Sequence, residues 1–320
     1  MAAAVLPTVT ADPQDPAAVP ATPFLKWPGG KSQLLPQFDR LFPPALLRGE
    51  ISTYVEPFAG AGAVFFHVAH RCTFRHAYLF DINPELCLTY RVVQKRVDEL
   101  LDELGRLRER YRRADPTVRE RFFYRVREEY NAARHGFDYR ALSPAAVHRA
   151  AQVIFLNKTC YNGLFRTNSS GAFNSPFGRY KDPAMFGPEN LRRASRLLRR
   201  ATVTCGDFES CERHADGRTF VYFDPPYRPL SRTASFTAYS KGTFNDTEQQ
   251  RLARFFTRLD RQRKALLMLS NSDPANVDRS DRFFDELYGD YRIERVRAAR
   301  SINSNTARRG SISELVILNY

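Results

Sequence analysis

Acidic residues are the minority charge in this chain. Asp and Glu number 35 against 49 Lys and Arg, leaving a formal charge of +14 over 320 residues. A surplus of that size favours a polyanionic partner, with DNA or RNA first. Cysteine is sparse: Cys72, Cys87, Cys160, Cys205 and Cys211 are the whole set, and no two are spaced as C-x-x-C. This argues against a zinc finger or a redox dithiol, and the odd, scattered set suits reduced thiols in the cytoplasm. No apolar run reaches the ~18 residues of a membrane span. The first 22 residues are rich in Ala, Pro, Thr and Asp and lack a basic start. They predict a flexible tail and not a signal peptide.

Seven short β-branched or aromatic runs end in turn or acidic residues. They are Thr53–Glu56, Ala77–Phe80, Ala201–Thr204, Thr219–Phe223, Ala265–Ser270, Arg292–Val296 and Glu314–Leu318. Continuous apolar runs of this length suit buried parallel strands. Helical spacing at Leu191–Ala201 and Thr247–Leu259 sets helices between strands, as in an α/β layered fold. The middle of the chain differs, with little strand signal between about Glu85 and Phe155. Val93, Val97, Leu100, Leu101, Leu104 and Leu107 mark one face of a long helix. Phe122, Phe123, Val126 and Tyr130 mark a second helix, and Ala145–Phe155 a third. The run Asn157–Tyr180, rich in Asn, Gly, Ser, Phe and Arg, predicts a hairpin and loops. The strands therefore fall into two groups separated by a helical insertion.

The first strand runs into Glu56-Pro57-Phe58-Ala59-Gly60-Ala61-Gly62. Glycines there let backbone approach a nucleotide closely. Asp81 ends the second strand, 21 residues beyond Gly60. That is close to the ~20 at which an acidic residue meets a ribose hydroxyl pair. Phe65 stands where a dinucleotide fingerprint needs its third glycine, which argues against NAD. Near the start, Gly30-Lys31-Ser32 ends like a phosphate loop, but Leu25 replaces the required glycine and no strand precedes it. An NTPase is rejected on that ground.

Thr219–Phe223 is a buried-strand pattern that stops abruptly at Asp224-Pro225-Pro226-Tyr227. Two prolines remove two backbone donors and stiffen the turn. Open α/β sheets place ligands at the carboxyl ends of strands. The turn offers a carboxylate, free carbonyls and an aromatic face. That set suits an amino group on a planar ring. Asp224 and the Pro225 carbonyl can accept its two hydrogens, and Tyr227 can stack on the ring at ~1–3 kcal/mol. Such chemistry is a positioned in-line displacement and needs no metal, cysteine or histidine.

With these blocks in order, the chain resembles the Dam family of DNA adenine methyltransferases over nearly everything from Phe24 to Tyr320. The likeness rests on Phe24–Lys31, Glu56–Gly62, Asp81–Asn83, Tyr161–Arg166, Phe173–Tyr180, Asp224–Tyr227 and Arg300–Asn305. It implies a Rossmann-like α/β methyltransferase sheet with helices on both faces, plus an inserted helical target-recognition domain with a β-hairpin. The implied division is a tail over 1–22, catalytic parts over 23–84 and 188–320, and the insertion over 85–187. The implied cofactor is S-adenosylmethionine, held by Trp27, Lys31, Pro57, Phe58, Gly60, Gly62, Asp81, Asp207, Phe208 and Asp224, with no metal. Asp224, Pro225, Pro226 and Tyr227 become the catalytic set. Lys26, Tyr161, Asn162, Leu164, Arg166 and Pro176 become readers of bases, with Arg166 on a guanine. Arg300, Asn303 and Asn305 become phosphate contacts. The implied substrate is an adenine flipped from duplex DNA, within GATC, for a cytoplasmic, nucleoid-associated monomer that accompanies a restriction nuclease or acts alone. Two departures are Pro28, where the family often has Ala, and a longer arginine-rich stretch over Asp98–Arg119. A methyltransferase acting on an RNA adenine or a DNA cytosine amino group, and a DNA-binding regulator without catalysis, are the alternatives.

Overall fold

The computed structural model describes residues 19–228, 244–299 and 311–320. Among these, one sheet contains β1 (Thr53–Glu56), β2 (His76–Asp81), β3 (Ala201–Cys205), β4 (Thr219–Phe223), β5 (Leu266–Ser272), β6 (Arg292–Ala299) and β7 (Ser311–Leu318). Its order is β3-β2-β1-β4-β5-β7-β6. The first five strands pair in parallel, and β7 runs antiparallel between β5 and β6. Each of the seven expected runs is a strand.

Along the chain the helices are α1 (Leu35–Phe38), α2 (Pro44–Leu47), α3 (Ala63–Arg71), α4 (Pro84–Lys95), α5 (Val97–Arg113), α6 (Pro116–Ala132), α7 (Pro144–Thr159), α8 (Pro188–Leu198), α9 (Asp246–Arg258) and α10 (Phe283–Leu287). Three of them start on the same local device. Asn83, Asp115 and Ser143 each cap with a side-chain oxygen that accepts a first-turn N–H, and a proline follows at the first helical position. Along β4, Phe220 and Tyr222 face one core and Val221 and Phe223 the other. Helices α9 and α10 pack in the second core, and the remaining helices pack in the first. Covered on both faces, β4 is buried at every position, which is why its sequence reads as a continuous apolar run.

The apolar face from Val93 to Leu107 is not one helix. Arg96 leaves helical geometry at φ −135° and ψ 36°, which separates α4 from α5. Its guanidinium bonds the Leu142 carbonyl and the Glu99 carboxylate. The apolar spacing continues across the break, so periodicity alone runs through it. The core of α5, α6 and α7 merges with one face of the sheet. Glu85, in the first turn of α4, meets Arg149 of α7 with Nε 2.8 Å from Oε2, both side chains buried. Arg149 also donates to the Tyr130 carbonyl at 3.1 Å, and the Tyr130 and Phe137 rings flank its guanidinium at 4.3 and 4.7 Å.

The expected hairpin is thinner than a strand pair. Residues 157–180 pair at two isolated bridges, Cys160 with Phe177 and Thr167 with Phe173. Main-chain bonds join the arms, Tyr161 N–H to the Pro176 carbonyl at 2.8 Å and Gly178, Asn168 and Asn174 N–H to the Thr159, Ala172 and Arg166 carbonyls at 2.9 Å each, and side chains add to them. Asn131 donates to the Phe173 carbonyl at 3.0 Å and accepts its N–H at 2.8 Å. Asn168 accepts the N–H groups of Ser170 and Ala172. No helix among the described residues is long and apolar enough to cross a membrane.

Candidate active site

Strand order reverses where β1 lies between β2 and β4, so a crevice opens at the carboxyl ends of β1 and β4. Three loops converge there. The loop after β1 takes left-handed geometry at Gly60 (φ 46°) and Gly62 (φ 68°). A Cβ on Gly62 would sit 2.6 Å from the Tyr90 hydroxyl, and one on Gly60 would sit 3.2 Å from the Trp27 ring. Close approach therefore requires glycine at both positions. Tyr90 in turn donates to the Gly60 carbonyl at 3.1 Å.

Asp81, at the end of β2, accepts the Gly60 N–H at 3.0 Å and the Asn83 N–H at 2.9 Å, one on each oxygen. The remaining lone pairs leave room for further donors. Burial pushes its proton affinity up against these bonds. Beyond it, Ile82 is 76% exposed. Across the strand end, Asp207 caps the turn that begins at Phe208 and pairs with Arg251. Phe208 stacks on Phe58 with centroids 5.4 Å apart, and Arg251 covers Phe208 at 4.2 Å.

At the end of β4, Asp224 pairs with Lys31 at 2.9 Å, and the lysine side chain is only 3% exposed. Burial pushes the Asp224 carboxyl up to about 6, Lys31 opposes the shift, and Glu314 adds to it. Lys31 also lies over the Tyr227 ring at 4.6 Å and donates to the Gly29 carbonyl. The turn is braced from behind. Gln249 donates to the Pro226 carbonyl at 3.1 Å, Asn271 bonds Gln249 at 3.1 Å, and Ser272 donates to the Arg228 carbonyl at 3.1 Å. The Pro225 carbonyl has no donor among the described residues. Pro57 is buried beside Glu56, whose carboxyl is pushed well up by burial, with Asp224 and Asp81 contributing. Tyr54 donates to it at 2.7 Å. Asp224, Asp81 and the buried Glu56 interact electrostatically in a chain that is basic overall, and Lys31 pairs with the first of them.

The expected DNA readers lie beside this crevice. Asn157, fully buried in α7, accepts the Lys26 N–H at 2.8 Å and donates to the Lys26 carbonyl at 2.8 Å and the Gly163 carbonyl at 3.1 Å. One amide therefore ties the Lys26 segment to the hairpin. Trp27 stacks on Phe165 with centroids 5.9 Å apart, which closes the same junction. Tyr161 is 57% exposed, and Asn162 and Pro176 are exposed beside it, with Leu164 half-buried. Arg166 is exposed and spends only Nε on the Asn174 oxygen, at 2.9 Å. Its two terminal nitrogens have no bond among the described residues. Arg300, Asn303 and Asn305 lie outside the described residues.

Four contributors escaped the sequence reading. Glu56 and Glu314 are carboxylates next to apolar strand residues, a mismatch visible in the sequence. Ile82 follows the ribose candidate and is apolar where a turn begins. Asn157 gave no signal, because only the fold brings Lys26 to it. Lys31, expected over the cofactor, is the partner of Asp224.

Residues 27–302 match the family of D12 class N6 adenine-specific DNA methyltransferases. The chain is 47% identical over 299 residues to the type II methyltransferase M.MjaIII of Methanocaldococcus jannaschii, covering 93% of this chain and 99% of that protein. It is 34% identical over 300 residues to the type II methyltransferase M1.LlaDCHI of Lactococcus lactis subsp. cremoris, covering 93% and 95%. It is 35% identical over 295 residues to the DNA adenine methylase of Escherichia coli K12, covering 92% and 94%. With its α/β sheet and its acid-and-proline turn at the switch point, the chain is an enzyme that belongs to the D12 class of N6 adenine-specific DNA methyltransferases.

Proposed function

We propose that the enzyme moves the methyl group of S-adenosylmethionine to the exocyclic amino group of an adenine turned out of duplex DNA, within GATC. The observation that carries this reading is Asp224, held at the switch point by Lys31 with one oxygen left for substrate. The Asp224 carboxylate suits a positively charged sulfonium, and Asp81 suits a ribose. Exposed Ile82 and the Phe58–Phe208 stack supply apolar surface for the adenine end of that cofactor, with Trp27, Lys31, Pro57 and the Gly60–Gly62 turn lining the rest. Asp207 adds a polar edge, which Arg251 already neutralises in part. When bound, the cofactor supplies an electrophilic methyl group.

The chain's own groups do the remainder. The free oxygen of Asp224 and the Pro225 carbonyl accept the two amino hydrogens and turn the lone pair towards the methyl. Tyr227 stacks on the base, which offsets part of the few kcal/mol that flipping costs. A carboxyl near 6 also accepts the proton that the methylated nitrogen sheds. Residues 85–187 act as the target-recognition insertion between the catalytic parts 23–84 and 188–320. Arg166 reads a guanine through its free terminal nitrogens, Lys26 reads the other, and Tyr161, Asn162, Leu164 and Pro176 line the duplex. Arg300, Asn303 and Asn305 contact phosphates. The enzyme works on the nucleoid in the cytoplasm.

Transfer of labelled methyl to duplex DNA tests this reading, with cofactor affinity measured in parallel. Asp224→Ala is expected to lower kcat by about 10³-fold or more, comparable with removing a single preorganised electrostatic partner elsewhere. Unchanged transfer in that variant, or transfer to RNA in preference to duplex DNA, contradicts the reading.

A further inference from the structure

The two ends of the Tyr227 side chain are fixed separately. Lys31 covers the ring at 4.6 Å and binds Asp224 at 2.9 Å. At the far end the Tyr227 hydroxyl donates to Glu314 Oε2 at 2.5 Å. That is the short distance of a hydroxyl on a carboxylate. Glu314 comes from β7, where it stands opposite Ser272 of β5 and Val296 of β6. No hydrogen bond or ion pair among the described residues links its carboxylate to either strand neighbour. Alternation puts it on the sheet face of Val316, the face that also carries Tyr222. Leu315, Val316, Ile317 and Leu318 after it are fully buried. A half-buried carboxylate beside such apolar residues needs a polar partner, and among the described residues the Tyr227 hydroxyl is the one that bonds it.

We propose that Glu314 is a positioning residue of the active site. Its carboxylate anchors the Tyr227 hydroxyl and so sets the plane of the ring on which the target base stacks. Glu314 acts through Tyr227 and does not touch the base. The inference rests on the reading of Tyr227 as the stacking platform. Burial, with Asp224 and Glu314 contributing, holds the Tyr227 hydroxyl in its protonated, donating form far above neutral pH. Glu314 also raises the proton affinity of Asp224, so the two roles have separate readouts.

The test uses the full chain, S-adenosylmethionine and a duplex carrying either adenine or fluorescent 2-aminopurine at the target position. Glu314→Ala is expected to lower kcat about tenfold, the loss of one hydrogen bond to a charged group. The KM for the cofactor should stay within twofold. Flipped 2-aminopurine should be brighter than in the parent enzyme, because stacking on Tyr227 quenches it. Glu314→Gln keeps the shape and an acceptor oxygen, so it should recover most of kcat. Both variants remove a negative charge, so the acid limb of the pH–rate profile should move to lower pH. In a Tyr227→Phe background, Glu314→Ala should cost nothing further. Losses that add in that double variant, or an unchanged kcat in Glu314→Ala, overturn the inference and leave the stacking role standing. An unchanged kcat in Tyr227→Ala overturns the stacking role itself and the inference with it.

Discussion

The turn after β4 and the hairpin after α7 are both short polar loops, yet they are held in different ways. Asp224–Tyr227 hangs from a fully buried strand, and Gln249, Asn271, Ser272, Lys31 and Glu314 brace the turn or its flank. The hairpin has two isolated bridges and a few main-chain bonds between its arms, and asparagine side chains supplement them: Asn157 to Lys26, Asn131 to Phe173, Asn174 to Arg166. The turn is built into the sheet, where displacement of one atom disturbs a whole layer. The hairpin stands on thinner supports, with exposed ends and unspent donors. On the proposed function, the first region holds the chemistry and the second the reading of sequence.

The largest expected effect lies beneath the hairpin, where α7 is tied to α4. Arg149→Met leaves Glu85 buried without its charged partner, with only the Tyr139 hydroxyl still donating, and should lower unfolding stability by ~3–5 kcal/mol. Urea unfolding measures it, and a loss below ~1 kcal/mol would mean that α7 is not anchored to α4 through this pair. Next comes specificity. Arg166→Ala should erase ~1–3 kcal/mol of discrimination at one base pair while kcat on the preferred site at saturating DNA changes little. Equal weakening on all sequences would make Arg166 a phosphate contact. The smallest effect is that of pH. In the proposed mechanism Asp224 accepts hydrogens as a carboxylate, and burial raises its pKa to about 6. The ionised form is therefore lost as pH falls through that value. The single-turnover rate with both ligands saturating should be flat above neutrality and fall about tenfold per unit well below 6. A profile flat to pH 4.5 would show that Asp224 stays ionised in the ternary complex and that a bound cation outweighs its burial.

The sheet was legible because buried parallel strands write continuous apolar runs, and each ends in a turn residue that also serves the site. Thr219–Phe223 followed by Asp224-Pro225 shows both at once. Helix spacing was legible in kind but not in its breaks, since Arg96 interrupts a face whose apolar period continues. The hairpin was legible as a turn-rich segment, but its side-chain ties to neighbouring segments were not, because Asn131 and Asn157 act across distances the local pattern does not carry. Lys31 was read as a cofactor contact. Its pairing with Asp224 joins residues 193 positions apart, and only the sheet topology brings them together.

The account stands most directly on where the methyl group lands. Unmethylated duplex DNA, incubated briefly with the enzyme and S-adenosylmethionine and then read base by base, should carry N6-methyladenine at GATC, and Asp224→Ala should lower its rate of appearance by about 10³-fold. Methyl groups on cytosine, or N6-methyladenine unaffected by that substitution, would contradict it.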